Sequence, residues 1–189
     1  FRTDPETGDT ERLTHGLRAR EPDVSPDGRQ VVFTINGAST THLMIADLAD
    51  IEGTMRVLLR SRRFEQVYTP RFAPDGRSVA ISRWTHGGYR DIQVVDVQTG
   101  RTLRMTHDRA QDTGPAWSPD GRYLYFSSDR TGIANLYRRE MTTGETVQIT
   151  NVVSGAYSPD VSPDGTRIVY LGYSSYGWDL WTLDLDEAA

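Results

Sequence analysis

Pro115-Ala116-Trp117-Ser118-Pro119-Asp120-Gly121, followed by Tyr123-Leu124-Tyr125-Phe126, decides how this chain is read. The phrase stands four times. It occurs as Pro22-Asp23-Val24-Ser25-Pro26-Asp27-Gly28, as Pro70-Arg71-Phe72-Ala73-Pro74-Asp75-Gly76 and as Pro159-Asp160-Val161-Ser162-Pro163-Asp164-Gly165. The closing glycines are 48, 45 and 44 residues apart, and a fixed period of that size marks a repeat architecture. The local physics is a tight turn. Pro pre-sets φ, Asp bonds back to the backbone, and Gly takes a left-handed conformation that another residue adopts at a cost of about 1–2 kcal/mol. An apolar residue precedes each turn (Val24, Phe72, Trp117, Val161) and a β-rich run follows it. Strand, turn and strand are therefore expected four times.

Working outward, each copy continues alike. A second strand is expected at 30–35, 78–83, 123–128 and 167–172, apolar on consecutive positions and so covered on both faces. Polar hairpins follow at Asn36-Gly37-Ala38-Ser39, His86-Gly87-Gly88, Asp129-Arg130-Thr131-Gly132 and Ser174-Ser175-Tyr176-Gly177. Third strands at 42–47, 91–96, 135–140 and 179–184 each end on an acid. The next turn is short at Val97-Gln98-Thr99-Gly100 and Met141-Thr142-Thr143-Gly144, and longer at 48–53. A fourth, more polar strand is expected at 55–59, 102–106 and 146–150, as suits an outer edge.

Asp4-Pro5-Glu6-Thr7-Gly8 matches the turn at 96–100, so residue 1 falls in the tail of a third strand, and residues 10–14 form a fourth. At the other end Asp184 closes a third strand. The resulting order is one strand, three complete sets of four and one set of three. No helical period is present. The expected units are 1–16, the last strand of a preceding or closing blade; blades at 17–63, 64–109 and 110–153; and 154–189, a blade lacking its fourth strand. Four short antiparallel strands per repeat define an all-β β-propeller of four-stranded blades, about four of them in this chain. The offset ends admit closure of four blades, a slice of a larger ring, or a homodimer completing one ring of eight. A start in mid-strand favours the slice.

Composition excludes several function classes. A net charge of −5 argues against nucleic acid, which usually wants a basic stripe. With no cysteine there is no disulfide, thiolate nucleophile or sulfur-ligated zinc. No apolar run approaches the roughly 18 residues of a membrane helix, and no signal peptide is visible.

Motifs for chemistry are weak. Gly172-Tyr173-Ser174-Ser175-Tyr176-Gly177 has the wrong spacing for a nucleophile elbow and lacks the strand-to-helix turn. His15, His42, His86 and His107 form no metal-like pair at i and i+4, and His15 and His107 hold matching repeat positions. Asp27, Asp75, Asp120 and Asp164 are what the turns demand. No dense Asp/Asn/Gly loop suggests calcium. No catalytic, metal or cofactor site is expected. What remains is a loop face opposite the Pro-Asp-Gly turns, carrying Trp84, His86, Tyr89, Arg130, Tyr173 and Tyr176 as candidate partner anchors. Trp178, just before a third strand, is expected to pack between blades.

The Pro-x-aromatic-Ser-Pro-Asp-Gly phrase, the Phe126-Ser127-Ser128-Asp129-Arg130-x-Gly132 hairpin and the Leu-Thr-like end of the fourth strand resemble the propeller repeats of the TolB family over essentially the whole chain. The segment that engages TolA in that family, and its amino-terminal domain, have no counterpart here. The resemblance implies a six- or seven-bladed parent ring (six to eight on the repeat count), a periplasmic or cell-envelope location and protein or peptide binding. Similar blades occur in peptidase propellers. The alternative expectation is therefore the substrate-gating propeller of a prolyl oligopeptidase-type serine peptidase whose catalytic domain lies outside this chain. A sugar-lyase propeller with metal-binding histidines is a weaker third.

Overall fold

A computed structural model describes residues 1–85 and 87–185. A two-stranded sheet of β1 (Arg2–Thr3) and β2 (Thr10–Glu11) opens the chain. Four larger sheets follow in sequence order. The first holds β3 (Ala19–Val24), β4 (Gln30–Gly37), β5 (Thr40–Asp47) and, after the short helix α1 (Ile51–Thr54), β6 (Arg56–Leu59). The second holds β7 (Gln66–Phe72), β8 (Ser78–Trp84), β9 (Arg90–Asp96) and β10 (Thr102–Arg104). The third holds β11 (Thr113–Trp117), β12 (Tyr123–Ser128), β13 (Asn135–Glu140) and β14 (Thr146–Gln148). The last holds β15 (Ala156–Val161), β16 (Arg167–Ser174) and β17 (Gly177–Asp184). Each is an antiparallel meander with consecutive strands adjacent, the all-β blade pattern the repeats require.

Two details differ from the sequence reading. Arg2–Thr3, the expected tail of a third strand, is a strand in its own right that pairs Thr3 with Thr10, so the count is one higher than the expected order gave. The long link after β5 also folds into α1, because the Asp50 carboxylate accepts the Gly53 N–H at 2.9 Å. One turn is too short to show a helical period.

The Pro-Asp-Gly turn closes as its chemistry demands. Ser118 Oγ donates to Asp120 at 2.5 Å, the Arg122 N–H donates to the same carboxylate, and Gly121 sits at φ +71°. The turns also touch from sheet to sheet. A Cβ on Gly76 would stand 3.8 Å from Pro26 Cδ, one on Gly121 3.8 Å from Pro74, and one on Gly165 3.5 Å from Pro119.

A second repeated device lies in the first strand of every sheet. Glu21, Thr69, Gly114 and Ser158 each precede a proline, and each has positive φ (52°, 46°, 61° and 50°). Each falls where the strand slips register against its neighbour. A bulge there accommodates a proline that has no N–H for the ladder. Three of these residues are not glycine, and such backbone costs of order 1–3 kcal/mol apiece. Part of the offset is visible. Glu21 Oε2 accepts the Thr69 N–H at 3.0 Å and Asp23 Oδ2 the Phe72 N–H at 2.7 Å, joining the first sheet to the second.

The sheets stack face to face. Val32, Leu43 and Ile45 of the first meet Val67, Val79 and Ile81 of the second. Ala80 and Ile92 meet Leu124 and Phe126 of the third. Tyr125 and Leu136 meet Ile168 and Tyr170 of the last. Two buried hydroxyls link neighbours: Ser82 Oγ donates to the Asp112 carbonyl and Ser127 Oγ to the Ala156 carbonyl, each at 2.6 Å.

β10 and β14 stop short of their expected ends for a local reason, whereas β6 reaches Leu59. Thr106 Oγ1 accepts the Ile92 N–H at 2.9 Å and Thr150 Oγ1 the Leu136 N–H at 2.8 Å. A threonine hydroxyl replaces a ladder carbonyl, and the Leu-Thr-like ending has this job.

Candidate binding face

The two ends of the stack differ in chemistry. At one end the Pro-Asp-Gly turns are tied to the turns after the third strands, through Leu48 N–H to the Arg29 carbonyl and Val97 N–H to the Arg77 carbonyl. At the other end the hairpins after the second strands are tied to the links between sheets. Phe64 N–H donates to the Ser39 carbonyl, Asp112 N–H to the Arg90 carbonyl, and Ala156 N–H to the Ala134 carbonyl. This second end carries the candidate residues on three successive hairpins.

Trp84 ends β8 opposite Arg90, and it and Tyr89 are partly exposed. Tyr173 and Tyr176 flank the tip of the β16–β17 hairpin, where Tyr176 is 98% exposed. Trp178 lies not between blades but on the outward face of its own sheet, half-exposed, its ring 5.2 Å from that of Tyr173 and 5.3 Å from that of Tyr157. His86 lies outside the described residues. The structure thus brings Tyr173 together with Trp178 and Tyr157 and leaves Trp84 and Tyr89 on the hairpin of the second sheet, beyond the third.

Arg130 has a different place. Its guanidinium reaches Asp112, which is fully buried, at 3.1 Å and Asp108 at 3.4 Å, and its Nε donates to Ser128 Oγ at 2.9 Å. It also lies over the rings of Tyr137 and Phe126, 4.6 and 5.3 Å from their centroids. Most of its hydrogen-bonding capacity is turned inward. Burial pushes the Asp112 carboxyl above its ordinary value, against the pull of Arg130. Arg130 holds the loop face together from beneath.

The same economy recurs elsewhere. Arg83 pairs with Glu65 at 2.9 Å under the hairpin of the second sheet. His42 Nδ1 accepts the Ser61 N–H at 3.1 Å, and His107 Nδ1 lies 2.8 Å from Arg104. Asp91 is buried beside Arg104, and burial raises its carboxyl. Among the described residues no three His, Asp or Glu side chains converge as metal ligands, and Ser174 Oγ bonds within its own hairpin. Nor is any helix among them long and apolar enough to cross a membrane.

A run of antiparallel meander sheets of up to four strands, stacked face to face, is a β-propeller scaffold. A profile of the TolB beta propeller domain matches residues 22–188, and the chain belongs to that family. It is 31% identical over 163 residues to an uncharacterized protein, Atu1656, of Agrobacterium fabrum, covering 82% of this chain and 52% of that protein. It is 37% identical over 109 residues to the uncharacterized peptidase YuxL of Bacillus subtilis, covering 54% of this chain and 17% of that protein. The crystal structure of TolB from Acinetobacter baumannii superposes with a TM-score of 0.80 at 25% identity, over 92% of this chain and 42% of that one. The chain thus spans about half or less of the length of these relatives.

Proposed function

We propose that this chain is a non-catalytic, TolB-like binding module of the bacterial cell envelope, and that its hairpin face docks a protein or peptide. The observation that carries the reading is the contrast on that face. Tyr173 and Tyr176 stand exposed on one hairpin, while Arg83 and Arg130 beneath the other two hairpins are committed to internal pairs. Exposed aromatics of low side-chain entropy are efficient anchors, and a stacked scaffold presents them without a large ordering cost. Binding then proceeds by burial of these rings, with no bond made or broken. The periplasmic location rests on the family.

The test is photo-crosslinking in the producing bacterium. A benzophenone amino acid at Tyr173 or Tyr176 is expected to give a discrete adduct in the periplasmic fraction, and one at Asp75 on the turn face none. Equal labelling from both faces, or recovery of the protein from the cytoplasm alone, would refute the reading. The likeness to a Bacillus subtilis peptidase supports a second reading, a propeller that gates an attached hydrolase. Labelling of the full-length gene product by a serine-directed fluorophosphonate, with hydrolysis of short peptides, would select it.

A further inference from the structure

The second sheet departs from the other three at one corner. In register, Gln93 opposite Ile81 corresponds to Met44 opposite Phe33, Tyr137 opposite Phe126 and Trp181 opposite Tyr170. Three copies set a large, mainly apolar side chain there, and the second sets an amide. Its neighbours change with it. Arg104, the fourth-strand partner of Gln93, stands where the first sheet has Val57 and the third Gln148. Arg83 stands on the same strand beyond Ile81, where the first sheet has Ile35 and the third Ser128. These residues share the face that sets Val79, Ile81 and Val95 against the first sheet, so the junction they interrupt is internal to the stack.

Here the core gives way to a pocket of about 410 Å³, lined by Arg62 and Glu65 from the link between the sheets and by Arg83, Gln93, Thr102 and Arg104. Gln93 is only 3% exposed. Its Oε1 accepts from Arg83 Nη1 at 3.2 Å, and its Nε2 donates to no group among the described residues. Arg83 Nη2 is held by Glu65 at 2.9 Å, while Arg83 Nε is buried with no partner. Arg104 lies 3.7 Å from Asp91. The Arg62 guanidinium pairs with no acid among the described residues, although its backbone N–H donates to Glu65. The open positions are donors, and one guanidinium lacks a counter-charge. A buried amide donor at a place built for an apolar side chain is costly unless something takes its hydrogen bond.

We propose that this pocket binds a carboxylate. Gln93 Nε2 and Arg83 Nε meet it from the buried side, and Arg62 and Arg104 close on it from the link and from β10. A planar carboxylate matches the fork of an arginine, and its single charge balances the unmatched guanidinium. A phosphate would bring a further negative charge against Glu65. The carboxylate belongs either to the end of a peptide or to a free small acid, and both present the same chemistry here. The site lies at the first junction of the stack and does not depend on what Tyr173 and Tyr176 contact.

The readout is the side-chain amide signal of Gln93 in heteronuclear NMR spectra of the chain. It is titrated with N-acetylglycine, with acetylated trialanine bearing a free carboxylate, and with the neutral amides of both. The two acids are expected to shift the Gln93 signal, and the backbone amides of Thr85 and Arg104, saturably at millimolar concentration. The neutral amides should not. Stronger binding of the trialanine acid would assign the site to peptide ends, and equal binding to small acids. Gln93→Met copies the residue of the first sheet, so it should leave the melting temperature unchanged and weaken binding about tenfold, read at Thr85 and Arg104. Arg62→Ala, exposed on the link, should weaken binding several-fold without touching the core. No saturable shift, equal shifts from the neutral amides, equal or tighter binding of inorganic phosphate, or full affinity in either variant each overturns the proposal.

Discussion

The third and last sheets are nearly the same sequence pattern in two environments. In the third, β12 and β13 are buried on both faces, and Ser127 bonds forward to the sheet that follows. In the last, β16 alternates buried and exposed, β17 is mostly exposed, and Leu171 stands where Ser127 would be. The lesson is that a blade's stability is held in its junctions. A turn is complete within one repeat, but a face is complete only when the neighbour arrives.

The widest gap between the two sheets should appear at their matched leucines. Leu136→Ala removes a fully buried side chain, and about 2–5 kcal/mol of stability should be lost in urea unfolding. Leu180→Ala removes an exposed side chain and should stay within about 0.5 kcal/mol. Equal losses at the two positions would break the comparison.

The next contrast is polar. Ser127→Ala strands the buried Ala156 carbonyl and should cost about 1–3 kcal/mol. Leu171→Ser meets no facing carbonyl among the described residues and should give no comparable gain. Hydrogen exchange at the β12 amides would show the loss at Ser127 directly.

A smaller effect should be alike in both sheets. Gly121→Ala and Gly165→Ala each place a side chain at positive φ, and each should cost about 1–2 kcal/mol. Equality here sharpens the comparison, since turn strain is local. A much larger loss at one of them would show that the contact with the neighbouring turn's proline dominates.

The mildest effect is the acid limb of the stability curve. Hydrogen bonds from Ser162 and from Thr166 hold Asp164 down to about 2, and those from Ser118 and Arg122 lower Asp120. Carboxyls lowered on folding stabilise above their unfolded value near 3.8, and that contribution fades as pH falls toward 2. Asp164→Asn should therefore flatten the loss of stability below pH about 4. Asp112, raised by burial, has the opposite sign, favouring the folded state at low pH and losing that contribution as pH rises through its folded value. Asp112→Asn should steepen the acid limb, and melting curves from pH about 2 to 6 distinguish the two.

The blade pattern was legible because Pro-Asp-Gly has a single local solution and recurs at a fixed period. The bulge before the repeated proline was not, since Glu21, Thr69 and Ser158 carry no local sign of positive φ. Among the candidate anchors, the exposure of Tyr176 follows from a hairpin tip and could be read directly. The inward role of Arg130 could not, because Asp112 is buried only once the second and third sheets pack together. The outward position of Trp178 was hidden for a related reason. A tryptophan in a third strand reads the same whether or not another sheet lies beyond it.

The proline-to-glycine contacts between successive Pro-Asp-Gly turns have a consequence for variation. They form a staircase in which each tread fixes the height of the next, so an inserted residue at that end would shift every step above it. The unequal spacing of the repeats must then be absorbed elsewhere, as in the longer link that carries α1. Foreign peptides grafted into the β16–β17 hairpin should be accepted with little disturbance, whereas the same insert beside Gly121 should unseat the stack.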